Sequence, residues 1–155
     1  MYKVPFLVDG DSVISETPAI FAYLADKFID RGFAPALNDP KRGEYLKWLF
    51  FCHGPLTELM DIKSLNVSAE KIAERTKSLS FGSETQVYNF IKAGLSQANP
   101  YLLGDKISAA DLFLGFWLIQ LISFKLVTYV DEFKPFIQLI QQRESVKELE
   151  WVHGI

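Results

Sequence analysis

The sequence has one cysteine, Cys52, two histidines, His53 and His153, and two methionines in 155 residues. A lone thiol excludes an intramolecular disulfide and any site built from several thiolates, and two histidines so far apart give no reason to expect an all-protein zinc site. No metal is expected. Charge of one sign is also scarce: 16 Lys and Arg stand against 19 Asp and Glu, a net charge of -3, which leaves no basic footprint for nucleic acid or for an anionic membrane surface. Long hydrophobic runs are missing too. The longest, Leu112 to Phe124, is 13 residues and contains Gln120 and Ser123. It is too short to span a bilayer and lies too deep in the chain for a signal peptide. These absences lead to the expectation of a cytoplasmic protein with neither membrane nor nucleic-acid partner. What the sequence has in quantity is apolar surface: 49% of residues are hydrophobic and 13 are Phe, which predicts a rigid, aromatic-filled core in one domain, or in one domain plus part of another.

Residues 1–14 read as a hairpin, with an apolar run Val4 to Val8, a turn at Asp9-Gly10-Asp11 and a short run Val13-Ile14. Pro5 has no N–H to offer a ladder and marks the first run as an edge or irregular strand. Thr17-Pro18 predicts a helix over 18–29, with Thr17 as its cap and Ile20, Tyr23, Leu24 and Phe28 on one face. Residues 30–38 hold Gly32 and Pro35, lack a period and form a connector, beyond which the whole pattern is helical. Asp39-Pro40 repeats the start signal before Tyr45, Trp48, Leu49 and Cys52, and Gly54-Pro55 should interrupt that helix before Leu56, Leu59 and Met60 continue it. Ser68 can cap a weaker helix reaching Leu79. Ser83 with Gln86 spells a capping box ahead of Val87, Phe90, Ile91 and Leu95, and Asn99-Pro100 closes that helix. Ser108 with Asp111 is an acidic version of the same box, with Ile107 and Leu112 at the positions of a hydrophobic staple. Residues 109–124 are apolar nearly all round, with Gly115 permitting close approach, so they predict the buried central helix. Two more helices are expected, from Pro135 to Arg143 and, capped by Ser145 with Glu148, to Trp151.

The segment Lys3-Val4-Pro5-Phe6-Leu7-Val8-Asp9-Gly10, followed by Ser15-Glu16-Thr17-Pro18-Ala19-Ile20 and Tyr23-Leu24-Ala25, resembles the second half of the thioredoxin-like domain of glutathione transferases. Downstream, Tyr45 to Phe51, Phe81-Gly82-Ser83, Pro100 to Asp105 and Ser108-Ala109-Ala110-Asp111 resemble bacterial members of that family. The resemblance covers nearly the whole chain. It implies a mainly α fold: a remnant of a thioredoxin-like domain, hairpin plus helix, in residues 1–30, a linker at 31–38 and an all-helical C-terminal domain over 39–155. It also implies a function, the binding of glutathione as co-substrate for conjugation to a small electrophile, in a homodimer. Family members open with a strand, helix and strand that carry a catalytic Ser, Cys or Tyr. Such a unit takes ~30 or more residues, and only Met1 and Tyr2 precede Lys3 here. The expectation is therefore a truncated member whose catalytic residue is missing and whose own conjugating activity is weak or absent. Tyr2 is no substitute, since it falls at the entrance of the third strand of the family fold. The alternative reading is a non-catalytic, transferase-like protein-interaction module. A thiol-disulfide oxidoreductase is disfavoured, because Cys52 lies on a helix.

Carried over residue by residue, the resemblance makes Val4 the backbone partner of the cysteinyl part of glutathione, with Pro5 cis behind it. An ordinary trans proline beside an edge strand is the competing reading. Glu16 would take the γ-glutamyl ammonium and Thr17 its carboxylate, chemistry suited to an acid and a hydroxyl at a helix N-terminus. Both residues can also serve that helix alone, as cap and as a charge favoured by the dipole. Trp48, Phe51, Cys52 and His53 lie on the helix that in relatives lines the electrophile pocket, although an aromatic helical stripe is more often the mark of a core than of a pocket. Cys52 has no adjacent base or cation to form a thiolate, so it reads as a small hydrophobe. Ser108 and Asp111 are structural, a cap and not a catalytic pair.

Overall fold

The computed structural model describes residues 4–155, so the expectations for Tyr2 and Lys3 fall outside the described residues. Strands β1 (Phe6–Asp9) and β2 (Ser12–Ser15) pair antiparallel, Phe6 opposite Ser15 and Asp9 opposite Ser12. The pair is closed by Gly10 at φ 60 with Asp11 beside it. Alternation along the strands gives the hairpin two faces. Leu7 and Ile14 are half-buried, whereas Phe6, Val8 and Val13 are 61%, 59% and 70% exposed. Helix α1 (Thr17–Lys27) lies against the hairpin, and both elements are tied at Asp9, which accepts from the Tyr23 hydroxyl at 2.6 Å and from Lys27.

Thr17 is not the cap it was expected to be. The N-cap position belongs to Glu16, which makes no side-chain cap bond, and Thr17 and Pro18 fill the first turn. A one-turn 3₁₀ helix, Ile29–Arg31, and an irregular stretch lead to the helical part of the molecule. The turn Asp39-Pro40 uses its carboxylate on Lys41 N, 2.8 Å away, and helix α2 (Arg42–His53) follows. At the junction Arg42 reaches back with both terminal nitrogens to Asp26 of α1, each at 2.7 Å, and donates to the Pro35 carbonyl at 2.9 Å. This two-pronged contact fixes the angle between α1 and α2. The sequence pattern did not reveal it, because its partners are 16 residues apart and on different elements.

Gly54-Pro55 breaks the first long helix as expected: α2 stops at His53, Gly54 adopts φ -88, ψ -96, and α3 (Pro55–Ser64) starts. Helix α4 (Ala69–Arg75), capped by Ser68, is shorter than the pattern suggested and ends before Leu79. Helix α5 (Glu84–Gln97) is capped by Ser83, but only half of its predicted box is made. Ser83 Oγ accepts from Gln86 N at 3.3 Å, and the Gln86 side chain turns to the Ser83 hydroxyl and not to its N–H. Helices α7 (Lys134–Gln141) and α8 (Glu144–Lys147) follow, and in place of a helix running to Trp151 a separate 3₁₀ helix, Glu150–His153, comes after α8. Ser145 lies inside α8 and caps nothing, because Arg143 occupies the N-cap position.

Helix α6 (Ala109–Ser123) is the centre, packed by α1, α2 and α7. It is apolar nearly all round, and Leu114, Leu118 and Ile119 are fully enclosed, while Phe116, Trp117 and Gln120 stay half-buried. Burying each such side chain contributes about 1.5–3 kcal/mol. Gly115 meets α7 so closely that a Cβ there would sit 2.6 Å from Ile140 Cγ1. The helix start is fixed as the box predicts. Ser108 N and Ser108 Oγ donate to Asp111 Oδ2 at 2.8 and 2.6 Å, Asp111 N donates to Ser108 Oγ at 3.4 Å, and Leu102 N donates to Asp111 Oδ1 at 2.8 Å. Asp111 is completely buried, and that burial pushes its carboxyl above the ordinary range against the pull of these donors. Among the described residues no helix is long and apolar enough to cross a membrane.

Candidate functional site

Where β2 runs into α1, the chain takes a conformation that side chains seldom tolerate. Glu16 has φ 71, ψ 116. A non-glycine residue held there stores roughly 1–3 kcal/mol, and such residues cluster at ligand sites. The strain lifts the Glu16 carboxylate beside the first turn of α1, whose leading amides no side chain caps. Thr17 follows directly, and the Val4–Pro5 bond across from it is cis. Val4, Pro5, Ser15, Glu16 and Thr17 together form one wall of an open cleft of about 660 Å³.

The opposite wall is apolar. Helix α6 contributes Phe113, Phe116, Trp117 and Gln120, and Leu149 adds to it from the C-terminal end of the chain. Phe21 of α1 stacks on Phe113 with ring centres 5.0 Å apart, and Phe113 lies 6.4 Å from Trp117. Trp117 Nε1 is enclosed and has no hydrogen-bond acceptor among the described residues. His53 and Thr57 close the floor at the break between α2 and α3. Thr57 Oγ1 donates to the Cys52 carbonyl at 2.9 Å, and His53 Nε2 lies 3.4 Å from Glu16 Oε2. The cleft thus joins a polar, anion- and cation-matching end to an aromatic trough.

Val4, Pro5, Glu16, Thr17 and His53 meet at this cleft. Trp48, Phe51 and Cys52 do not reach it. Trp48 and Phe51 turn toward α5 and pack on Phe90, at 5.0 and 4.3 Å between ring centres, and Cys52 is wholly buried. Burial alone raises the Cys52 thiol far above the thiolate-forming range, so it is inert. The α6 wall was missed in the sequence. A signal existed: Phe113, Phe116, Trp117 and Gln120 follow at i, i+3, i+4 and i+7, and Gln120 is the polar residue of that stripe. Ser108 and Asp111 lie away from the cleft, at the start of α6. Among the described residues no three His, Cys, Asp or Glu gather as metal ligands would.

A strained acid and a hydroxyl at a helix head, facing an aromatic trough across a helical bundle, define a small-ligand site on a hairpin-and-helix unit joined to an all-helical part. No family model matches the chain. Glutathione S-transferase F10 of Arabidopsis thaliana is 35% identical over 130 residues, an alignment taking in 71% of this chain and 54% of that protein. Glutathione S-transferase 1 of Dianthus caryophyllus is 31% identical over 128 residues, covering 77% and 55%. The chain spans about half the length of the curated relatives it matches. Among solved structures, a ternary complex of BphK, a bacterial glutathione transferase, superposes with a TM-score of 0.73 at 26% identity over 97% of this chain and 73% of that one. A sphingomonad glutathione S-transferase complexed with glutathione gives 0.71 at 24% identity over 99% and 75%, a likeness of fold. The chain belongs to the glutathione transferase family.

Proposed function

We propose that this chain binds glutathione in the cleft headed by Glu16 and Thr17, and that the aromatic trough beside it receives an electrophile for conjugation to the thiol. The observation that carries this reading is the strained Glu16 at the uncapped head of α1. The γ-glutamyl end of glutathione carries an ammonium and a carboxylate a few bonds apart. Glu16 matches the first, and the Thr17 hydroxyl with the first-turn amides matches the second. The Val4 backbone, 84% exposed for that residue, is free to pair with the cysteinyl part as an added strand would. The trough of Phe113, Phe116 and Trp117 has the character of an apolar small-molecule pocket with few polar groups.

Conjugation also needs the bound thiol lowered to a thiolate. Among the described residues no cysteine or tyrosine lines the cleft; its hydroxyls are those of Ser15 at the end of β2, of Thr17, assigned to the γ-glutamyl end, and of Thr57, which donates to the Cys52 carbonyl. The chain is therefore expected to bind glutathione while turning over slowly. Titration calorimetry with glutathione tests the binding, and a conjugation assay with an aromatic electrophile against a buffer blank tests the turnover. Absence of heat on a folded sample overturns the binding reading; turnover far above the blank overturns the second part. The same proposal includes a cytoplasmic homodimer divided at residues 31–38. It is supported by the single thiol and by the exposed Phe6, Val8 and Val13 face, and light scattering giving a monomer at micromolar concentration counts against the dimer.

A further inference from the structure

His53 is a residue of the cleft that the glutathione reading does not use. It ends α2, and its Nε2 stands 3.4 Å from Glu16 Oε2, so the end of one helix faces the head of another. The two side chains are 45% and 44% exposed, open to ligand and to solvent protons alike. They are the only ionisable side chains among the described residues lining the cleft. The neighbouring hollow between α1 and α2 adds no further charge, since Pro18, Ala19, Ala22, Leu46, Leu49 and Phe50 complete it. From α3 the group facing the pair is Thr57, and from α6 it is Gln120 among aromatics. His53 is thus the one charged partner that the cleft lining sets beside the Glu16 carboxylate.

We infer that His53 is a positioning residue for Glu16: its protonated imidazole occupies the carboxylate that an incoming ammonium group needs, so the cleft takes amine-bearing ligands more tightly once His53 has lost its proton. This rests on the proposed glutathione reading. The helix ends favour the competing ion pair, because an imidazolium is stabilised at the C-terminus of α2 and a carboxylate at the N-terminus of α1. Imidazole is the side chain that changes charge between pH 5 and 8, while carboxylates generally remain ionised over that interval. Ligand ammonium and imidazole proton then compete for one anion, and by linkage each weakens the other. Binding strengthens as pH rises, and part of the bound ligand releases a proton from His53.

The test is calorimetric titration at pH 5.5 and 7.5 with S-methylglutathione, whose blocked thiol does not titrate, and with its des-amino analogue, using the wild-type chain, His53→Gln and, as a second substitution, His53→Asn. The wild type is expected to bind S-methylglutathione about two- to fivefold more tightly at pH 7.5, the scale of an exposed ion pair. Both variants should lose that dependence and bind more tightly than the wild type at pH 5.5. The des-amino analogue should bind weakly and independently of pH. A variant that keeps the wild-type pH profile, or an analogue that shares it, overturns the inference and leaves glutathione binding standing. Failure of every protein to bind at either pH removes the glutathione reading and the inference with it.

Discussion

At the scale of single residues, Glu16 and Asp111 do opposite things with a carboxylate. Glu16 is half-open and strained, with the His53 imidazole beside it, whereas Asp111 is enclosed and saturated with donors. Glu16→Gln and Thr17→Val should each weaken glutathione binding roughly ten- to a hundredfold, since a charge-assisted hydrogen bond contributes about 1.5–3 kcal/mol, with little change in melting temperature. Calorimetric titration beside thermal unfolding separates the two effects. Asp111→Ala should do the reverse. Losing the cap costs about 1 kcal/mol and stranding the half-buried Leu102 N–H about 1–3 more, so urea unfolding should report a loss of about 2–4 kcal/mol. The Ser108–Asp111 box was fully legible, because all of its atoms lie within four consecutive residues. Glu16 and Thr17 were legible only through resemblance. The positive φ that exposes them is imposed by the hairpin entering α1 and has no glycine to advertise it.

Among the elements, α6 decides what the others can do. Its apolar circumference predicted its burial, and its close approach to α7 at Gly115 was equally readable. Gly115→Ala gains up to ~1 kcal/mol of helix propensity but drives a methyl into Ile140, an overpacking that costs about 1–3 kcal/mol. With the full propensity gain the balance is a destabilisation of up to about 2 kcal/mol, read as a lower urea midpoint with unchanged slope. The stripe on α2 shows what periodicity leaves open. Tyr45, Trp48, Leu49 and Cys52 fall on one face in any helix, yet which neighbour covers that face depends on α5, whose Phe90 meets Trp48 and whose Gly94 leaves room for the same ring. Hence Trp48, Phe51 and Cys52 became core, and the trough passed to α6. Thr17 and Ser145 show the companion limit: both are good capping types, but the helices begin one or two residues earlier than those side chains allow.

For the whole molecule, acid sensitivity follows from where the carboxylates went. Lys27 and then Tyr23 hold Asp9 below the usual carboxylate range, and Arg42 does the same for Asp26. A depressed pKa contributes stability above the unfolded value of about 4 and loses it as pH falls through the folded value. Asp111 acts the other way: its raised pKa favours the fold below that same unfolded value, a contribution lost as pH rises through the folded one. As pH falls below about 4 the hairpin and α1 should therefore loosen from α2 before the bundle around α6 melts. Asp26→Asn should flatten that early phase, measured by hydrogen exchange of α1 amides against those of α6. The exposed face of the hairpin has a practical corollary of its own. Three apolar side chains on one surface of a two-stranded ribbon offer a landing place for fluorescent dyes that seek greasy surfaces. Their signal with the native protein would then be a baseline set by Phe6, Val8 and Val13, and only its rise above that level would register melting.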